Sequence, residues 1–155
     1  MNTQNKAFPL KHLIVMTATG TLDFNASKAA LKSLVADPGF DAHCEVLLDL
    51  RDIECAMSAT DIFELAVHMS SPNPALPTYK KIAVLVAGHS AFDHAHFLEM
   101  CAGNRGLKLR AFEAYKNADE WLNADLPDDP KVIVPVPKPM RNNRGSNRGQ
   151  TTVFR

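Results

Sequence analysis

Two stretches of this chain concentrate side chains capable of chemistry. The first, "EVLLDLRDIECAMSATDIFEL" at residues 45–65, carries Asp49, Arg51, Cys55, Ser58 and Asp61. It offers a hydroxyl that a kinase could phosphorylate and a thiol that could attack an electrophile. A nucleophile needs a base held beside it, and the sequence names none for Cys55. The second stretch, "HSAFDHAHF" at residues 89–97, holds His89, Ser90, Asp93, His94 and His96. Imidazoles and a carboxylate are metal ligands when they converge on one point. On a helix Asp93 and His96 share a face, while His94 points about 200° away from His96. The set His89, Asp93 and His96 is conceivable, but no HExxH or Cys/His pairing supports it. The expectation is polar, half-exposed helix residues, with no metal, no cofactor and no catalytic residue.

Both stretches also contain a helix-start signal. In Ser58-Ala59-Thr60-Asp61 the Ser58 hydroxyl can accept from the backbone N–H three residues on, and Asp61 can reach back to the Ser58 N–H. Ser90-Ala91-Phe92-Asp93 has the same spacing, so the sequence predicts two capping boxes after two strands. A carboxylate in the first turn suits the helix dipole.

The elements that position these residues alternate in type. "HLIVMTAT" (12–19) is β-branched and reads as a strand. "NASKAALKSLVADPGF" has apolar residues at helical spacing and a stop at Asp37-Pro38-Gly39. "CEVLLDL" (44–50) and "KKIAVLVAG" (80–88) are continuous apolar runs, the mark of strands buried on both faces. Helices are predicted over about 58–69, 91–102 and 116–124, with "SSPNPALP" (70–77) as a breaker loop. "LKLRAFE" (107–113) alternates and belongs near a sheet edge. The order βα βα βα βα implies crossovers and a mostly parallel sheet carrying about four helices. Helix starts then lie beyond the carboxyl ends of parallel strands, where open α/β sheets place ligands. Asp49, Arg51, Ser58, Asp61, His89, Ser90 and Asp93 are therefore expected on one rim for a partner or ligand.

The chain has 155 residues, 46% apolar and 22% charged, with zero formal net charge. That describes an ordinary globular domain and selects no highly charged partner. The charge is uneven: residues 1–126 hold 11 Lys/Arg against 15 Asp/Glu, and residues 127–155 hold 6 against 2. The expected division is a domain over 1–126 and a Pro-rich, then basic, disordered tail over 127–155, within which "KVIVPVP" reads as a short edge strand or extended segment. The tail's arginines would attract nucleic acid only weakly, since Phe154 alone could stack on a base. Three widely spaced cysteines, Cys44, Cys55 and Cys101, fit a reducing compartment. The N-terminal apolar run is too short for a signal peptide, and no run is long enough to span a membrane. The expected location is the cytoplasm.

Several segments together resemble the STAS/SpoIIAA-like superfamily, and within it the small bacterial proteins called STAS/SEC14-like. They are "ADPGF" before "LLDLRDI", a serine-capped helix after it, "AVLVAGHSAF" leading into a helix, and a closing "ADEWL". The resemblance covers about residues 12–124. It implies a SpoIIAA-like sheet of four to five mostly parallel strands with about four helices. It also implies a regulatory or protein-interaction module rather than an enzyme. In the anti-anti-sigma branch, an Asp-Ser-Ser-Gly-type motif follows the corresponding strand, and a partner kinase phosphorylates one serine. Here Ser58 falls on the serine position, while Met57, Ala59 and Thr60 replace the other three.

Two further readings follow. The expected partner is a protein, such as an anti-sigma-type kinase or another regulator. The alternative is a small apolar-ligand or lipid carrier of the SEC14-like type, whose cavity Phe63, Met69, Phe92, Phe97 and Met100 could line, although the same residues could equally fill a core. A metal or thiol enzyme ranks last.

Overall fold

The computed structural model describes residues 1–41, 43–71 and 81–124. Contacts divide the chain into Met1–Asn123 and Ala124–Arg155. The expected tail, with its "KVIVPVP" segment, and most of the 70–77 loop lie outside the described residues.

The first unit runs β1 (Asn2–Phe8), a 3-10 turn (Pro9–Lys11), β2 (Leu13–Leu22), α1 (Phe24–Val35), β3 (Glu45–Cys55), α2 (Ala59–Ser70), β4 (Ile82–Leu85), α3 (His89–Gly103), β5 (Leu109–Phe112) and α4 (Tyr115–Asn123). The five strands form one sheet in chain order. β2 through β5 pair in parallel, and β1 pairs antiparallel to β2 over seven residues. The expected four- to five-stranded, mostly parallel sheet with four helices is the observed one. β1 was not legible: "NTQNKAF" is mainly polar, and its strand state comes from pairing with β2 rather than from its own pattern.

Sequential parallel strands joined by right-handed crossovers place their helices on one face. α1, α2 and α3 accordingly cover Ile14, Met16, Val46, Leu48, Ile82 and Val84. The residues between them, Leu47, Ala83 and Leu85, point to the other face with Phe112 and pack under Ala118 and Leu122 of α4. This two-sided burial is why β3 and β4 read as unbroken apolar runs.

Lys81, only 2% exposed, fastens α4 to the sheet. Its Nζ donates to the carbonyl oxygens of Trp121 (2.9 Å) and Leu122 (3.2 Å), which lie in the last turn of α4. It also lies 3.6 Å from the Glu45 carboxylate and 5.5 Å from the centre of the Trp121 ring. Helix C-termini leave such carbonyls without intrahelical donors, so the ammonium acts as their cap. β5 lies at the sheet edge, as its alternation predicts. Its Ala111 N–H donates to Glu99 of α3 at 2.7 Å, which closes a donor that an edge strand otherwise exposes.

Two details shape the functional end. The β2–β3 register steps from Thr17↔Asp49 to Thr19↔Asp52, so β3 carries one extra residue opposite β2. A bulge of this kind bends the strand and reverses which side chains face the core. β3 also outruns β4, whose pairing stops at Asp49↔Leu85. Thr19–Leu22 and Asp52–Cys55 therefore continue as a two-stranded ribbon past the carboxyl end of β4.

Candidate functional site

The extra length of β3 and the reversal at the bulge create a cavity between the sheet and α1–α3. Before the bulge Leu48 and Leu50 face it; after the bulge Ile53 and Cys55 do, followed by Met57. Met16, Ala18 and Leu22 of β2 and Val84 and Val86 from β4 and its end form the floor. α1 contributes Ser27, Ala30 and Leu31, α2 contributes Ile62, Leu65 and Met69, and α3 contributes Ala91, His94, Ala95 and Leu98. Met1 completes the mouth; its backbone lies against Gly20, whose φ of +100° suits glycine. The cavity measures about 80 Å³. Among the described residues no Asp, Glu, Lys or Arg side chain lines it.

The polar groups in the wall are few and mostly committed. The Ser27 hydroxyl donates to the Asp23 carbonyl oxygen at 2.9 Å and contacts the Met57 sulfur at 3.5 Å. His94 Nδ1 lies 2.8 Å from the Ser90 carbonyl oxygen. A carbonyl only accepts, so Nδ1 carries a hydrogen toward it.

The residues singled out in the sequence fall in several places. Ser58 is the N-cap of α2, and the capping box is complete: Asp61 N–H donates to Ser58 Oγ at 3.1 Å, and Ser58 N–H donates to Asp61 Oδ2 at 3.0 Å. The second predicted box does not form. α3 starts two residues earlier, at His89, and its N-cap is Gly88 with φ +92° and no side-chain cap. His89, Ser90 and Asp93 are exposed around that first turn. Asp49 and Arg51 alternate with Leu48 and Leu50 and so share the α4 side of the sheet with Leu47, away from the cavity.

Asp49 and Arg51 bind each other through two contacts, Nε–Oδ1 at 2.9 Å and Nη2–Oδ2 at 2.8 Å. The hydrogen bond from Arg51 holds the Asp49 carboxyl below its ordinary range despite partial burial, and the carboxylate raises Arg51 in return. Cys44 is buried, and burial pushes its thiol up.

His89, Asp93 and His96 do not converge. His96 lies 3.2 Å from Glu99 and stacks on Phe92 at 5.9 Å between ring centres. Among the described residues no group of three His, Cys, Asp or Glu is placed to hold a metal. Of the five residues expected to line an apolar cavity, Met69 does. Phe63, Phe97 and Met100 are exposed instead, and the Arg105 guanidinium lies 5.5 Å from the centre of the Phe63 ring. Phe92 packs against the core from its edge.

Met69 apart, the residues that form the cavity are not legible as a site in the sequence, because most of them read as ordinary core. A signal was present: Ile53, Cys55 and Met57 recur at every second position beyond the buried run of β3, with Glu54 and the small Ala56 between them, the spacing of a strand with one covered face.

No family model matches the chain, and no curated protein matches it. The fold is α/β: behind an antiparallel first strand, βα units build a mostly parallel five-stranded sheet with four helices. Among solved structures it is similar to an uncharacterised protein of the DUF3478 family with a SpoIIAA-like fold from Shewanella loihica PV-4. The two are 16% identical, with a TM-score of 0.49 over 78% of this chain and 92% of that one. This is a likeness of architecture, and no activity is transferred from it. Among the described residues no helix is long and apolar enough to cross a membrane.

Proposed function

We propose that this SpoIIAA-like chain is a non-enzymatic binding module that takes a small, neutral, apolar ligand into the cavity between its sheet and α1–α3. The observation that carries the reading is an open apolar cavity at the carboxyl end of the parallel strands, lined by no Asp, Glu, Lys or Arg among the described residues. Native cores are packed nearly without voids larger than a water, so an apolar space of about 80 Å³ calls for an occupant. At rest the space is too small for a whole lipid. The test is mass spectrometry under non-denaturing conditions on full-length protein freshly purified from its own host. A ligand-sized mass increment, lost on denaturation, supports the reading. Unliganded protein that also gains no increment from short alkanols or toluene overturns it.

A second role, docking a protein partner, is favoured by a separate observation. Phe63, Phe97 and Met100 are exposed on α2 and α3, and Ser58 is exposed at the start of α2. A phosphate on Ser58 would place a dianion beside the Asp61 carboxylate and break the capping box, although the helix N-terminus itself favours negative charge. An anti-sigma-type kinase or a comparable regulator would act there. Partner capture that is identical for Ser58→Ala, Ser58→Asp and wild type would count against the switch.

A further inference from the structure

We propose that the cavity is elastic, and that its natural guest is a neutral aromatic ring system larger than the resting space. This inference rests on the cavity being a ligand site. Four of the chain's six methionines line the cavity: Met1, Met16, Met57 and Met69. They are distributed around the wall rather than gathered at a point. Met16 sits on the sheet floor, Met57 and Met69 lie at opposite ends of α2, and Met1 lies at the mouth. That spread does not build a soft-metal site, which needs sulfurs converging on one ion. It does make the floor, both ends of the α2 side and the mouth adjustable, while the α1 and α3 sides carry no methionine. An unbranched thioether has three rotatable bonds and refits irregular gaps, whereas leucine or β-branched walls resist a volume change.

The lining also indicates the guest. Among the described residues it contains no Phe, Tyr or Trp, so an incoming ring would meet thioethers on several sides, and sulfur–ring-edge contacts are favourable. The lack of charged lining residues excludes a carboxylate or an ammonium inside the cavity. A single benzene ring fits an engineered cavity of about 150 Å³. The resting 80 Å³ is therefore about half of what one ring needs. Met1 is 39% exposed and Met57 half-buried, which leaves room at the mouth for their side chains to swing outward.

The experiment uses the full chain with three probes: xenon, toluene and naphthalene. Xenon fits the resting cavity and reports whether it is accessible at all, by the xenon NMR shift. The elastic cavity binds toluene and naphthalene with dissociation constants within about threefold of each other. The double variant Met57→Leu/Met69→Leu weakens naphthalene about tenfold or more and weakens toluene less. Xenon entry without naphthalene binding shows a rigid cavity and overturns the inference, while the ligand-site reading stands. Failure of xenon to enter overturns both. Equal naphthalene binding by wild type and double variant removes the methionines from the explanation and also overturns it. Should the double variant not fold, the methionine methyl carbons of the wild type decide. Naphthalene must shift those of Met16, Met57 and Met69 in the sense of a rotamer change, and unchanged methyl carbons refute the inference.

Discussion

Filling the cavity from its own wall should stabilise the protein and close the site together. Ala95 is 7% exposed on α3, and its methyl faces the cavity. Ala95→Leu adds three carbons at that point, roughly the volume that is empty, and leucine is a good helix former. Empty apolar volume costs about 24 cal/mol per Å³, so filling 80 Å³ gains at most about 2 kcal/mol. The open mouth makes this an upper bound. For a unit of this size the gain corresponds to a rise in Tm of about 5–10 °C. Chemical denaturation of variant and wild type measures the stability, and toluene titration measures the site. The expected result is a higher midpoint with an unchanged slope, and toluene affinity at least about tenfold weaker. A variant destabilised by more than about 1 kcal/mol that still binds toluene normally would refute the reasoning, because the leucine would then be displacing packed atoms rather than filling space.

Four other substitutions test the supports of the site. Lys81→Met strands the carbonyls of Trp121 and Leu122 and leaves Glu45 without its nearby ammonium, so urea denaturation should show a loss of about 2–4 kcal/mol, with Trp121 fluorescence reporting the loosening of α4. Ser58→Ala should cost about 1 kcal/mol in the same assay by removing the acceptor for Asp61 N–H. Gly39→Ala should cost about 1–3 kcal/mol, because a Cβ there would overlap the Ala7 methyl on β1. Asp49→Asn should cost less than about 1 kcal/mol at pH 7, since Arg51 is 45% exposed. The Asp49 carboxyl lies below its unfolded value, so its contribution is complete above about pH 4 and lost as pH falls through the lower folded value; the gap between wild type and Asp49→Asn should close on that acid limb.

The parallel part of the fold was legible because its signals are local. Val46–Leu48 and Ile82–Leu85 are continuous apolar runs, and Ser58-x-x-Asp61 is a complete cap within four residues. β1 was not, since a polar segment becomes a strand only when a partner offers its hydrogen bonds. Ser90-x-x-Asp93 has the right letters, yet Gly88 at φ +92° lets α3 begin at His89 and leaves Ser90 inside the helix. Asp49 and Arg51 follow the ordinary alternation of β3 and lie on the α4 side, while the bulge near Leu50–Arg51 turns Ile53 and Cys55 to the cavity. A bulge is a property of two paired strands, and one strand's sequence does not announce it.

The most direct test of the cavity as a binding site is a methyl NMR titration of the full chain with toluene. The account predicts saturable shifts centred on Met16, Leu31, Leu65, Met69, Val84 and Leu98, which surround the cavity, and none of comparable size at Met100 on the outer face of α3. Shifts led by Met100, or no saturable shift at the cavity methyls, would contradict it.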